Sequence, residues 1–277
     1  MKKSDEIIET LIQKLKSENI NTWFDLGLFL DTIKENRAVP KFKFSGKYND
    51  FKNYMCNANI AFLTFQYAID GVSIEVKKYT QIFKSKYNSS EIHYIAGKFF
   101  PESEKMIPEY VKKCELKSIQ GFDDWPLYKD FFFTHLERGS KEYNDLIIKF
   151  WEETLRIIYD LGKYITEHNI QLLYLINVCS NPGNVSLALA VTLLSEYLKI
   201  PVINNRHDYF WEGGNKEINK KVYHLPDGPR DFFFKNAHLG EFFSIIEMLY
   251  PWDSRIWMHV NINKQQTERL IKINGIN

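Results

Sequence analysis

At 277 residues, 44% of them hydrophobic, the chain is long enough to bury roughly three quarters of its unfolded surface in a folded core. Lys and Arg number 36 against 35 Asp and Glu, a formal charge of +1, which excludes the basic footprint of a nucleic-acid binder. Three widely spaced cysteines, Cys56, Cys114 and Cys179, form no CxxC pair, so a reducing cytoplasm without a structural zinc is expected. The start, MKKSDEIIETLIQKLKSENI, has an acidic amphipathic pattern with Ile7, Ile8, Leu11, Ile12 and Leu15 on one helical face, unlike a signal or transit peptide. A second helical stretch, TWFDLGLFLDTIKEN, and a lysine-bearing tail with Lys41, Lys43 and Lys47 complete a helical N-terminal extension over 1–55. That tail reads as a solvated loop.

From residue 56 onward, strand and helix patterns alternate. NANIAFLTFQY has the β-branched and aromatic content of a buried strand, and AIDGVSIEVKKYTQIFKSKY follows as a helix with Val76, Tyr79, Ile82 and Phe83 on one face. EIHYIAGKF is a strand, and the stretch from Phe99 to Ser140 is irregular, with room for a strand or a lid. A long helix carries Leu146, Phe150, Leu155, Ile158 and Leu161 as its stripe; IQLLYLINVCS is a strand, NVSLALAVTLLSEYLKI a helix and PVINNRHD a strand. SRIWMHVNIN and KQQTERLIKIN close the series as strand and helix. Strands alternating with helices of this length imply crossovers and a parallel sheet. The expected class is therefore α/β, a Rossmann-like parallel sheet flanked by helices, as one domain over 56–277. The longest apolar region is broken by Ser195, Glu196, Lys199 and Pro201, short of the ~20 residues needed to span a bilayer.

The chemistry-bearing residues fall at strand ends, where open α/β sheets bind ligands. After the first strand, Gly71 and Ser73 open a helix whose N-terminus suits an anion, although a single glycine supports a dinucleotide site poorly. Asn177, Ser180, Asn181, Gly183, Asn184 and Ser186 crowd a second strand end with small hydrogen-bonding groups suited to a polyhydroxylated ligand; one of them suffices as a helix cap. The third end, PVINNRHDYFWEGG, brings Arg206, His207 and Asp208 to the same edge.

With these three segments in one crevice, the chain resembles the N-terminal domain of the group 1 (family four) retaining glycosyltransferases of GT-B architecture, over roughly residues 57 to 277. HDYFWE after a PVI-type strand is the most specific part, and WMHVNINKQQTERLIKINGI looks like the family's last N-domain strand, asparagine and helix. Asp70-Gly71 departs from the glycine pair of many members. The resemblance implies that His207 reaches towards the donor sugar and that Asp208 orients its ring or binds acceptor. It also implies that Gly71 lies under a diphosphate or the acceptor and that Asn263 matches an asparagine before the last helix. No protein nucleophile, metal or cofactor is implied. The expected partners are a nucleotide-sugar donor and a sugar or other hydroxylated acceptor. A C-terminal donor domain, expected to lie outside this chain, or a second copy would complete the site, so the chain alone is expected to be inactive.

The main rival is a non-catalytic Rossmann-like domain that binds a sugar or nucleotide or assembles with another chain. A metal-dependent phosphohydrolase is disfavoured, because RHD follows a strand and His224, His238 and His259 lack ligand spacing.

Overall fold

The structure is a computed structural model and describes residues 3–36, 47–89, 91–209, 236 and 238–274. The expected parallel sheet is present. Six strands, β1 (Asn59–Thr64), β2 (Glu91–Ala96), β3 (Val111–Glu115), β4 (Ile170–Ile176), β5 (Val202–Arg206) and β6 (Trp257–Asn261), lie in the order β3-β2-β1-β4-β5-β6. Every pairing is parallel. This is the doubly wound order of dinucleotide-binding folds, whose direction reverses between β1 and β4. Central strands buried on both faces explain the continuous apolar runs AFLT and LLYLI.

The helices are α1 (Lys3–Lys16), α2 (Trp23–Glu35), α3 (Tyr48–Asn57), α4 (Gly71–Tyr87), α5 (Tyr128–Phe132), α6 (Lys141–Glu167), α7 (Val185–Leu198), α8 (Gly240–Leu249) and α9 (Lys264–Asn274). One face of the sheet is covered by α3 and α4, which place Met55, Val76 and Phe83 against Ile60, Phe62, Tyr94 and Tyr174. The larger core covers the other face. There the stripe of α6, from Leu146 to Leu161, packs with α7 and α8 against Ala61, Leu63, Leu173 and Leu175.

The two N-terminal helices are built into that larger core. Ile8, Leu11 and Leu15 of α1 and Trp23, Leu26 and Leu30 of α2 are buried in it. Trp23 lies within 5.2–5.8 Å, ring centre to ring centre, of Phe131, Phe150 and Phe242. Aromatic pairs at such spacing add to burial. α2 starts at a reciprocal cap: Asp25 N–H donates to Thr22, and the Asp25 carboxylate accepts from Thr22 N–H at 2.8 Å. The irregular stretch holds β3 at the sheet edge and α5, while residues 210–235 and the tail at 37–46, including Lys41, Lys43, His224 and the YFWEGG segment beyond Tyr209, lie outside the described residues.

No described helix is long and apolar enough to cross a membrane.

Candidate functional site

The three strand ends singled out in the sequence share one edge of the sheet, but the fold treats them differently. After β1, Asp70 caps α4: its carboxylate accepts from Ser73 N–H at 2.8 Å. The buried Ser73 hydroxyl in turn accepts from Ala68 N–H at 3.1 Å. Gly71 is the first residue of α4; its φ is not in the left-handed region and an added Cβ would meet nothing within 4 Å. The negative Asp70 side chain thus occupies the helix N-terminus that an anionic ligand would need. Ser73 is bonded within the turn, and the position of Gly71 demands neither a left-handed φ nor close approach by described atoms.

At the β1–β4 reversal, where doubly wound folds place their ligand, the chain closes its own crevice. Phe122 N–H donates to Gly183 O at 2.7 Å, and Asn184 Nδ2 donates to Gln120 O at 2.7 Å. A Cβ on Gly183 would come within 3.0–3.1 Å of the Phe65 and Phe122 rings, and one on Gly97 would strike the Gln120 backbone at 2.6 Å. These glycines are therefore required by close approach of residues 120–122. Asn184 also accepts from Leu187 N–H at 2.8 Å as the cap of α7, so both ends of its side chain are used within the protein.

The ends of β4 and β5 are tied together by Asn177. Its Oδ1 accepts from the backbone N–H of His207 (2.8 Å) and Asp208 (3.3 Å), and its Nδ2 donates to Asp208 Oδ2 at 3.3 Å. Asn177 stands at φ 60° to do so, a conformation asparagine tolerates. Ser180 Oγ donates to Asn177 Oδ1 at 3.4 Å. From the far side Gln266 Nε2 donates to His207 O at 2.8 Å, and Asn263 caps α9 by accepting from Gln266 N–H at 2.8 Å. Asn263 thus acts on His207 through Gln266.

The strand alternation of β5 then separates two side chains. Arg206 goes to the α7 side with Cys179 and Asn204, and it is fully buried. Its guanidinium lies 5.1 Å from the Tyr209 ring centre, but Nε, Nη1 and Nη2 have no hydrogen-bond partner among the described residues. Burial lowers its pKa to about 10, so it is a cation at neutral pH. Asn181 Oδ1, Asn204 Oδ1 and Ser186 Oγ around the same strand ends are likewise buried without partners among the described residues. His259, packed on this side, is held neutral: burial first, then Arg206, lowers its pKa to about 3. Its Nε2 lies 3.0 Å from Trp252 O.

His207 goes to the α4 side, where its Nε2 pairs with the Glu75 carboxylate. Glu75 also accepts from Asn205 Nδ2 at 3.1 Å, and Asn205 reaches the Tyr174 hydroxyl at 3.3 Å. Burial and the nearby Glu75 charge raise the Tyr79 and Tyr174 phenols. The carboxylate at the His207 ring is therefore Glu75. Asp208, expected to orient the ring, is exposed and bonded to Asn177. Glu75 escapes sequence reading because it is an ordinary polar position one turn into α4.

A groove of about 550 Å³ lies against β4 to β6, between Tyr54, Tyr79, Phe83, Trp257 and Met258. It is lined almost entirely by apolar groups and lacks the convergent donors of the β4–β5 edge.

Fold and site together define a doubly wound α/β protein with a buried cation and a carboxylate-held histidine side by side at one sheet edge. Compared with family models, curated proteins and solved structures, the chain gives no match.

Proposed function

We propose that this chain binds a nucleotide sugar and a hydroxylated acceptor at the ends of β4 and β5, as the N-terminal, acceptor-side domain of a retaining glycosyltransferase of GT-B architecture. The observation that carries the reading is Arg206, a fully buried guanidinium whose three nitrogens have no hydrogen-bond partner among the described residues. An uncompensated buried charge is costly, and a planar fork of N–H donors matches phosphate oxygens two at a time. His207, the next residue, supplies a polar ring fixed by Glu75 for contact with sugar hydroxyls, while Asn181 and Ser186 add neutral hydrogen-bonding atoms. In the transfer, the bond from the sugar's anomeric carbon to the diphosphate breaks, the acceptor oxygen bonds to that carbon, and the acceptor proton leaves with the phosphate. The protein's part is positional and electrostatic.

A binding module without turnover is the second reading. It is favoured by the internal use of Asn184 and Ser73 and by the closure of the β1–β4 reversal.

Calorimetric titration of the full chain with a panel of nucleotide sugars tests both, alongside an assay for transfer. Arg206→Met is expected to weaken binding by ~10²-fold, since bonds to a charged donor contribute about 1.5–3 kcal/mol each. The melting temperature should hold or rise, because a buried cation without a hydrogen-bond partner among the described residues is removed. Unchanged affinity, or a large fall in melting temperature, overturns the assignment of Arg206. Transfer once a donor-side domain is supplied to the chain supports the first reading, and binding that yields no transfer even then selects the second.

A further inference from the structure

At the opposite end of the sheet, three side chains with metal-ligating atoms converge. Glu91 and His93 are alternate residues at the start of β2, so they project to the same face. His168 is the C-cap residue of α6, the helix packed on that face. One donor atom from each lies within 4.8 Å of the others. We infer that Glu91, His93 and His168 form a binding site for a divalent transition metal of the zinc class.

The spacing favours this. His93 Nε2 and Glu91 Oε2 are 3.3 Å apart, long for a hydrogen bond. That separation is the edge of a tetrahedron whose centre is about 2.0–2.1 Å from each corner, the zinc–nitrogen and zinc–oxygen distance. The donor set of two imidazoles and one carboxylate suits zinc or cobalt and disfavours magnesium and calcium, which take oxygen ligands. A solvent molecule would complete four-coordination, and the partly exposed Glu91 and His168 give the ion a way in.

Surrounding contacts already hold the ligands in place. His93 is fully buried, and its Nδ1 lies 2.8 Å from the Tyr164 hydroxyl. If Nδ1 donates there, Nε2 turns a bare lone pair towards Glu91, the outer contact that metal-binding histidines use. Glu91 Oε1 is held by Lys112 at 2.5 Å, leaving Oε2 to bind through one oxygen. The backbone of His168 is fixed on both sides: its N–H donates to Tyr164 O at 3.1 Å and its carbonyl accepts from Asn59 Nδ2 at 2.9 Å. The site also sits at the negative end of a 27-residue helix whose last turn has no basic side chain, where a cation is favoured.

The test is titration of the chelator-treated full chain with cobalt, followed by zinc. One equivalent of cobalt should bind with the intense visible absorption of a tetrahedral site, zinc should displace it, and magnesium should not. His168→Ala and Glu91→Gln should each weaken binding by more than the ~10–100-fold typical of outer contacts, with metal-free melting temperatures little changed. Both positions are partly exposed, which avoids the folding cost of replacing buried His93. Failure of either metal to bind stoichiometrically, or equal binding by wild type and both variants, overturns the proposal. Nucleotide-sugar binding at the other edge should be the same in His168→Ala as in wild type.

Discussion

The turn after β1 and the paired ends of β4 and β5 occupy the same edge of the same sheet, yet the groups at the helix start are paired in the first, while the second gathers several buried polar atoms without partners among the described residues. Asp70 caps α4 and Ser73 is bonded within the turn, whereas Arg206, Asn181 and Ser186 keep buried atoms without partners among the described residues. Buried polar groups are nearly always paired, so exceptions call for an explanation. The difference teaches that a place at the C-terminal edge does not by itself make a ligand site. In the proposed reading the ligand-directed half is the one whose buried polar atoms lack partners among the described residues, and it lies off the β1–β4 reversal that Gln120–Phe122 close.

The largest effect is expected at His207. On the proposed transferase reading, His207→Ala should lower turnover, measured with a donor-side domain supplied, by ~10²-fold or more, as loss of a preorganised polar contact does, with little loss of stability. Glu75→Gln should fall between wild type and that variant, because it keeps the side-chain shape while removing the charge that holds the ring. Near-wild-type turnover in His207→Ala would erase the contrast between the two turns.

His259 gives the next largest signal. Its folded pKa of about 3 lies below the ~6.5 of an unfolded histidine, so the unfolded chain takes up the proton first as pH falls. The stability associated with neutral His259 is fully present above about pH 6.5 and is lost towards pH 3, by up to ~1.4 kcal/mol per pH unit. Denaturant melts across that window should show a flatter profile for His259→Gln. An unchanged profile would mean that the Arg206 side of β5 is more hydrated than its burial indicates.

The smallest effects are expected in the first turn. Asp70→Ala should cost about 1 kcal/mol, the typical value of a helix cap, and leave ligand affinity intact. Gly71→Ala should change stability by less than about 0.5 kcal/mol, a fraction of the usual glycine-to-alanine difference, because the position is open and its φ is ordinary. Loss of ligand affinity in Gly71→Ala would reverse the comparison.

Much of the architecture is legible in the chain. The runs that become β1, β4 and β5, the stripe of α6 and the cap Asn184 follow from side-chain periods and cap chemistry. β3 is not legible: Val111 is its one buried residue, with Lys112, Lys113 and Glu115 exposed, so its strand character comes from pairing with β2. α8, unassigned from sequence, does carry a helical stripe of Phe242, Ile245, Ile246 and Leu249. Of the candidate site, Arg206 and His207 were visible by their place after an apolar run, but Glu75 was not.

The sequence by itself determined the α/β class, most strands and helices and the strand ends where polar residues gather, because periods of 2 and 3.6 are local properties of the backbone. The tertiary structure alone decided the strand order, the incorporation of α1 and α2 into the main core, the closure of the β1–β4 reversal and the pairing of His207 with Glu75. It also decided that Arg206 is buried without a hydrogen-bond partner among the described residues. The physical reason is that these depend on which distant surfaces meet, and a polar group is left unpaired only by what packs around it, which no local pattern encodes.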